Sequence, residues 1–124
     1  MKTNRKESQV LAGIIAYLQT RPDVFFWRQN TSAGIAPSGQ FMRSNMRGVC
    51  DIIGVQAPAG VMIGIEVKRE HGGGLSPDQV LFRDNLLDHG AVHCLARSVE
   101  DVVAVLGPPL VRIAKHKRER IVPR

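Results

Sequence analysis

A chain of 124 residues, 44% hydrophobic and 23% charged, is long enough for one sizeable core and too short for two. No apolar run approaches the ~18 residues of a membrane span, and the polar stretch Met1–Gln9 does not read as a secretory leader. These features predict a cytoplasmic protein without a membrane partner, and the net charge of +6, from 17 Lys plus Arg against 11 Asp plus Glu, allows a phosphate-bearing one.

Asn4-Arg5-Lys6-Glu7 has the form of a helix start, with Asn4 as N-cap and Glu7 three residues on. Val10, Leu11, Ile14, Ile15 and Leu18 continue it as an apolar stripe of helical period. Glu7 falls one turn before Leu11, at the edge of that stripe. It can serve as a cap or as an acidic group turned toward a site. Arg21-Pro22-Asp23 ends the helix, and Val24 to Asn30 reads as a strand in which Phe25, Phe26 and Trp27 are expected in the core rather than as a base-stacking platform. Residues 31 to 47 carry few signals for helix or strand. With Arg43, Arg47 and no acid, this stretch is either a surface loop or a guide for a nucleic-acid strand.

Residues 48 to 68 organise the rest. Ile52 to Gln56 and Val61 to Val67 are β-rich runs around Ala57-Pro58-Ala59-Gly60, which predicts an antiparallel hairpin. With Gln56 opposite Val61, Asp51 faces Glu66. Side chains so opposed have Cβ atoms about 4.5–5.5 Å apart, and two like charges there repel unless something offsets them. Alternation puts Ile63, Ile65 and Val67 on one face and Met62, Gly64, Glu66 and Lys68 on the other. Two carboxylates and an ammonium thus converge at one end of an otherwise apolar hairpin, a donor set suited to a hard divalent cation.

Asp51, a hairpin-length gap, then Glu66-Val67-Lys68 resembles the active-site signature of the PD-(D/E)xK nuclease superfamily. Gly48-Val49-Cys50-Asp51, Ile65 to Arg69 and Leu75-Ser76-Pro77-Asp78-Gln79 resemble more specifically the virus-type replication-repair nuclease (VRR-NUC) domain, over about Glu7 to Leu106. Cys50 departs from that pattern, standing where the family usually has proline; no ligand is lost by it. The resemblance implies an Mg²⁺- or Mn²⁺-dependent endodeoxyribonuclease with no organic cofactor. It implies Asp51, Glu66 and the Val67 carbonyl as metal ligands, Lys68 beside the attacking water, and Glu7 and Gln79 as supporting groups. Asn30 and Gly34 fall where the family has Asn and Gly near the site, and Arg69 follows the lysine as a further nucleic-acid contact. Small stand-alone members suggest a homodimer cutting branched DNA, a four-way (Holliday) junction resolvase. A nickase or flap endonuclease on other replication intermediates, and a non-catalytic DNA-binding module, are the alternatives. If the source is viral, the compartment is the host cytoplasm.

After Lys68, Gly72-Gly73-Gly74 lacks the phosphate-loop pattern and is expected to be flexible. Ser76-Pro77-Asp78-Gln79 opens a second helix, with Ser76 as N-cap and Gln79 at the capping-box position. It runs to Gly90; Ala91 to Leu95 is a strand, and Ser98 caps a last helix that stops at Gly107-Pro108-Pro109. Helix, three strands, helix, strand, helix is the order of an α/β protein with a mixed central sheet flanked by helices. Its first six elements resemble the αβββαβ core of restriction-endonuclease-like folds. Cys50 and Cys94 are expected in strands as buried free thiols, and the four histidines form no ligand cluster. Residues 1–110 make the domain and 111–124 a basic tail. Arg112, Lys115, Lys117, Arg118, Arg120 and Arg124 against Glu119 give that tail +5. Lys115, Lys117 and Arg118 are its candidate phosphate contacts.

Overall fold

A computed structural model describes residues 3–29, 34–35, 41–42, 46–110 and 113. In chain order the elements are α1 (Glu7–Leu18), β1 (Val24–Arg28), β2 (Gly34–Ile35), β3 (Phe41–Met42), β4 (Ile52–Gln56), β5 (Val61–Val67), α2 (Pro77–Asp88), β6 (Val92–Ala96) and α3 (Val99–Leu106). The main sheet has the order β1-β4-β5-β6. Its first two pairings are antiparallel and the third, β5 with β6, is parallel. A parallel neighbour needs a crossover, and α2 provides it. The protein is therefore an α/β structure with a mixed, open four-stranded sheet and three helices, none of which, among the described residues, is long and apolar enough to cross a membrane.

The hairpin has the expected register: Gln56 pairs with Val61 and Ile52 with Ile65. Alternation then divides the core in two. On one face Ile52, Ile63, Ile65 and Val67 pack with Val10, Ile14 and Leu18 of α1 and Val102 and Leu106 of α3. On the other a smaller cluster joins Cys50 and Ile53 to Leu86 of α2, with Phe82 and Ala91 against it. Gly64 is what lets that second layer close. A Cβ there would stand 2.7 Å from Leu86 Cδ1 and 2.8 Å from Cys50 Sγ. Both cysteines are buried free thiols, although Cys50 lies just ahead of β4 rather than in it. Burial and the nearby Glu66 and Asp51 charges push Cys50 up to about 12, so it is an inert packing group.

Four expectations need correction. α1 is capped at Lys6, not Asn4: Gln9 Oε1 accepts from the Lys6 N–H at 2.9 Å, and Asn4 Oδ1 instead takes the His71 N–H at 3.0 Å. Within the stretch expected to lack regular structure, Gly34–Ile35 and Phe41–Met42 pair as a short antiparallel ribbon. The glycine run is anchored rather than free, since Arg97 Nη1 donates to the carbonyls of Arg69 at 3.1 Å and Gly72 at 2.6 Å, and its Nη2 to Gly73. Finally, Phe25 and Trp27 are not core: they are 71% and 42% exposed, and only Phe26 between them packs inward. Four of the five β1 residues are apolar, but α2 lies over β6 and, among the described residues, leaves the Phe25 and Trp27 side of β1 open.

At the far end of the sheet a buried polar network ties four elements together. Arg21 Nε and Nη2 donate to the two Asp23 oxygens at 2.9 and 2.8 Å. Its Nη1 donates to Tyr17 Oη at 2.7 Å and to the Gly107 carbonyl at 2.9 Å. Gln56 at the end of β4 completes the set by donating to the Leu106 carbonyl at 2.9 Å.

Candidate active site

Asp51 lies one residue ahead of β4, and its Oδ2 accepts the Val67 N–H at 2.7 Å. This bond draws the aspartate against the end of β5, where Glu66 is 3% exposed. Burial, and then repulsion from Asp51, raise the Glu66 carboxyl from its ordinary 4.5 to about 8, with Glu7 adding to the rise and Lys68 opposing it. Lys68 Nζ stands 3.7 Å from Glu66 Oε1.

Gln79 joins these groups. Its Nε2 donates to Glu66 Oε1 at 2.8 Å, and its Oε1 accepts from Lys68 Nζ at 3.1 Å. The same Oε1 accepts the Ser76 N–H at 2.9 Å, and Ser76 Oγ accepts the Gln79 N–H at 3.2 Å. One glutamine is thus both the capping-box residue of α2 and the bridge between the carboxylate and the ammonium. Two features hold α2 in place for that task. Gly48, at φ +73°, passes so close to the helix start that a Cβ would lie 2.2 Å from the Asp78 carbonyl oxygen and 2.7 Å from the Gln79 nitrogen. Arg97 fixes residues 69–73, the chain between Lys68 and α2. Gly48 stood in the sequence motif without a stated role, and Arg97 carried no local signal. Gly48→Ala is expected to cost about 2–4 kcal/mol from backbone strain and overpacking together, read as a drop in the denaturant midpoint.

Of the residues expected at the site, the structure brings together Asp51, Glu66, Lys68 and Gln79 around Val67. Glu7 is exposed at the start of α1 and acts on Glu66 through charge alone. Arg47 is exposed next to Gly48; Arg69 is exposed, with its guanidinium beside Gly72. Asn30, Arg43, Lys115, Lys117 and Arg118 lie outside the described residues. No family model, curated protein or solved structure matches the chain.

A divalent cation at this end of the hairpin would depend on oxygen donors. Among the described residues no three His, Cys, Asp or Glu side chains could hold a metal ion. Two carboxylates and the Val67 carbonyl are therefore the available oxygens. Among the described residues, Glu66 Oε2 is buried with no hydrogen-bond partner. A buried acid beside Asp51 keeps its proton, and a cation that takes the proton's place meets an Oε2 that no described donor occupies. The set fits a hard cation that keeps waters in its remaining positions.

The raised Glu66 value has a measurable consequence. Without metal, the folded protein keeps the Glu66 proton up to about pH 8, whereas the unfolded chain loses it near 4.5. Between those values the unfolded state binds fewer protons, so stability falls as pH rises, by up to about 1.4 kcal/mol per unit from this group. Urea melts in EDTA across that window should show the decline, and Glu66→Gln should flatten it. An unchanged slope in the variant would assign the titration to another group.

Proposed function

We propose that the protein is a divalent-metal-dependent DNA endonuclease of the VRR-NUC type, with a restriction-endonuclease-like core. The observation that carries this reading is the buried Glu66 side chain, with one oxygen unpaired among the described residues, held beside Asp51 and bridged by Gln79 to Lys68. A surface ion pair has no reason to bury an acid at this cost.

Asp51, Glu66 and the Val67 carbonyl would hold Mg²⁺ or Mn²⁺, which when bound supplies charge neutralisation at the phosphate and a more acidic water. The rest is the work of the chain. The Val67 N–H and Gln79 fix the orientation of the two carboxylates. Lys68 Nζ, steered by Gln79 Oε1, orients the attacking water, favours its hydroxide form and offsets charge as it builds on the phosphoryl oxygens. The water oxygen bonds to phosphorus as the P–O ester bond breaks, and the leaving deoxyribose oxygen takes up a proton. One protomer has one such site, so paired nicks across a four-way junction require a homodimer.

The test is an end-labelled four-way junction beside a linear duplex of the same sequence, with Mg²⁺ or Mn²⁺ and Lys68→Ala as control. Paired symmetric nicks in the junction alone support a dimeric resolvase. Single cuts at flaps or nicks in other branched substrates favour the nickase or flap reading. Binding without any cut under both metals would leave a DNA-binding module.

A further inference from the structure

The candidate site occupies only one face of the sheet, and that face also carries the exposed aromatic residues. Register places Trp27 opposite Ile53 and Ile53 opposite Gly64, while Phe25 lies opposite Val55 and Val55 opposite Met62. Alternation therefore puts Phe25, Trp27, Ile53, Val55, Met62, Gly64 and Glu66 on the same side. Trp27 is two strands across and two residues along from Glu66. That is roughly 12 Å from strand spacing and rise; Ile53 and Gly64 between them lie under Cys50 and Leu86, so a nucleic-acid strand reaching both would pass over that layer rather than over bare sheet.

The two rings form a unit. Their centroids are 5.7 Å apart with planes tilted by 50°, and Trp27 Nε1 donates to Gln29 Oε1 at 3.1 Å, which fixes the indole. Phe26, between them, packs into the core and anchors the strand that presents them. Two large aromatics held side by side in water forgo burial that each could have had, and exposed patches of this size are often binding faces. A second copy of the chain is a poor one. Phe25, Trp27 and Met62 together leave on the order of 350 Å² open, against about 800 Å² per partner in a stable interface. A closed duplex offers no free base face either. An unpaired nucleobase presents a flat π-surface of matching size.

Resting on the nuclease reading above, we infer that Phe25 and Trp27 are a stacking platform for unpaired nucleobases of the strand held at the Glu66 site. The substrate class is then DNA with bases open beside the scissile phosphate: a single-stranded arm, a flap or the opened centre of a branch. Stacking on aromatic side chains tolerates any sequence and is lost one ring at a time.

Trp27 is the sole tryptophan, so its fluorescence reports the platform directly. The full chain is titrated in EDTA, where no cleavage intervenes, with a labelled oligothymidylate and with a blunt duplex of equal length. The single strand should quench Trp27 saturably and the duplex should not. By anisotropy, Phe25→Ala and Trp27→Ala should each bind the single strand about tenfold to a hundredfold more weakly, and Trp27→Phe should recover most of the loss. Unchanged affinity in the alanine variants, or equal quenching by the duplex, overturns the platform. So does a shift in Trp27 emission with protein concentration in the absence of DNA, with self-association lost in the alanine variants, which assigns the face to a second copy. The two readings fail separately. Quenching without cleavage after metal is added sinks the nuclease alone, and junction cleavage with alanine variants that bind normally sinks the platform alone.

Discussion

Lys68→Ala is expected to slow phosphodiester cleavage by about 10²–10³-fold under single-turnover conditions while DNA affinity stays within a few-fold of the parent. The two effects separate because Lys68 is one of 17 Lys and Arg residues but the one whose ammonium bonds Gln79 Oε1 at 3.1 Å within the carboxylate pair. Its removal also takes away the positive charge that lowers the Glu66 value. Glu66 should then hold its proton to higher pH, and more metal should be needed to displace it. Lys68→Arg should restore charge without restoring rate, because a planar guanidinium cannot occupy the position of a compact ammonium between Gln79 and Glu66. Anisotropy in EDTA and quenched-flow cleavage on the same junction measure both quantities. A parental rate in Lys68→Ala would remove this lysine from the chemistry.

Much of that site was legible in the chain, for a local reason. A four-residue connection between Gln56 and Val61 fixes the hairpin register, and a period of two then decides which residues share the face of Glu66. Gln79 was ambiguous between cap and site because both roles use the same first turn of α2, and its two amide atoms let it perform both. Arg97 was invisible, since its acceptors at residues 69, 72 and 73 are set by how β6 lies against β5 and not by any neighbour in sequence. The aromatic run of β1 misled in the opposite direction. β propensity identifies a strand, but whether each side is covered depends on how far the helices extend over the sheet, which is a tertiary property. Arg21 and Asp23 posed a third kind of problem. Around Pro22 they signalled the end of a helix, and nothing local indicated that Gly107 and Gln56 would enclose them.

That enclosure carries a large stability effect: Arg21→Ala is expected to destabilise the fold by about 3–5 kcal/mol. Both side chains are nearly inaccessible, at 2% and 1% exposure, so removing the guanidinium strands a carboxylate that water cannot reach. The loss extends beyond one pair, because Tyr17 Oη and the Gly107 carbonyl lose their donor as well. Hydrogen bonds from Arg21, aided by backbone and Gln56 donors, hold the Asp23 carboxyl down at about 2 against an ordinary 3.8. A depressed acid stabilises the fold fully above its unfolded value and loses that contribution as pH falls through the folded one. Acid unfolding should therefore draw on Asp23 between about pH 4 and pH 2 in the parent, and Asp23→Asn should remove that component. Replacing both partners by apolar residues of similar volume, Arg21→Met with Asp23→Leu, should recover most of the stability lost in Arg21→Ala, since no charge is left unpaired. Urea midpoints of the three variants at pH 7 decide the matter, and a double variant no better than Arg21→Ala would show that the Tyr17 and Gly107 bonds, rather than the ion pair, hold this end of the sheet together.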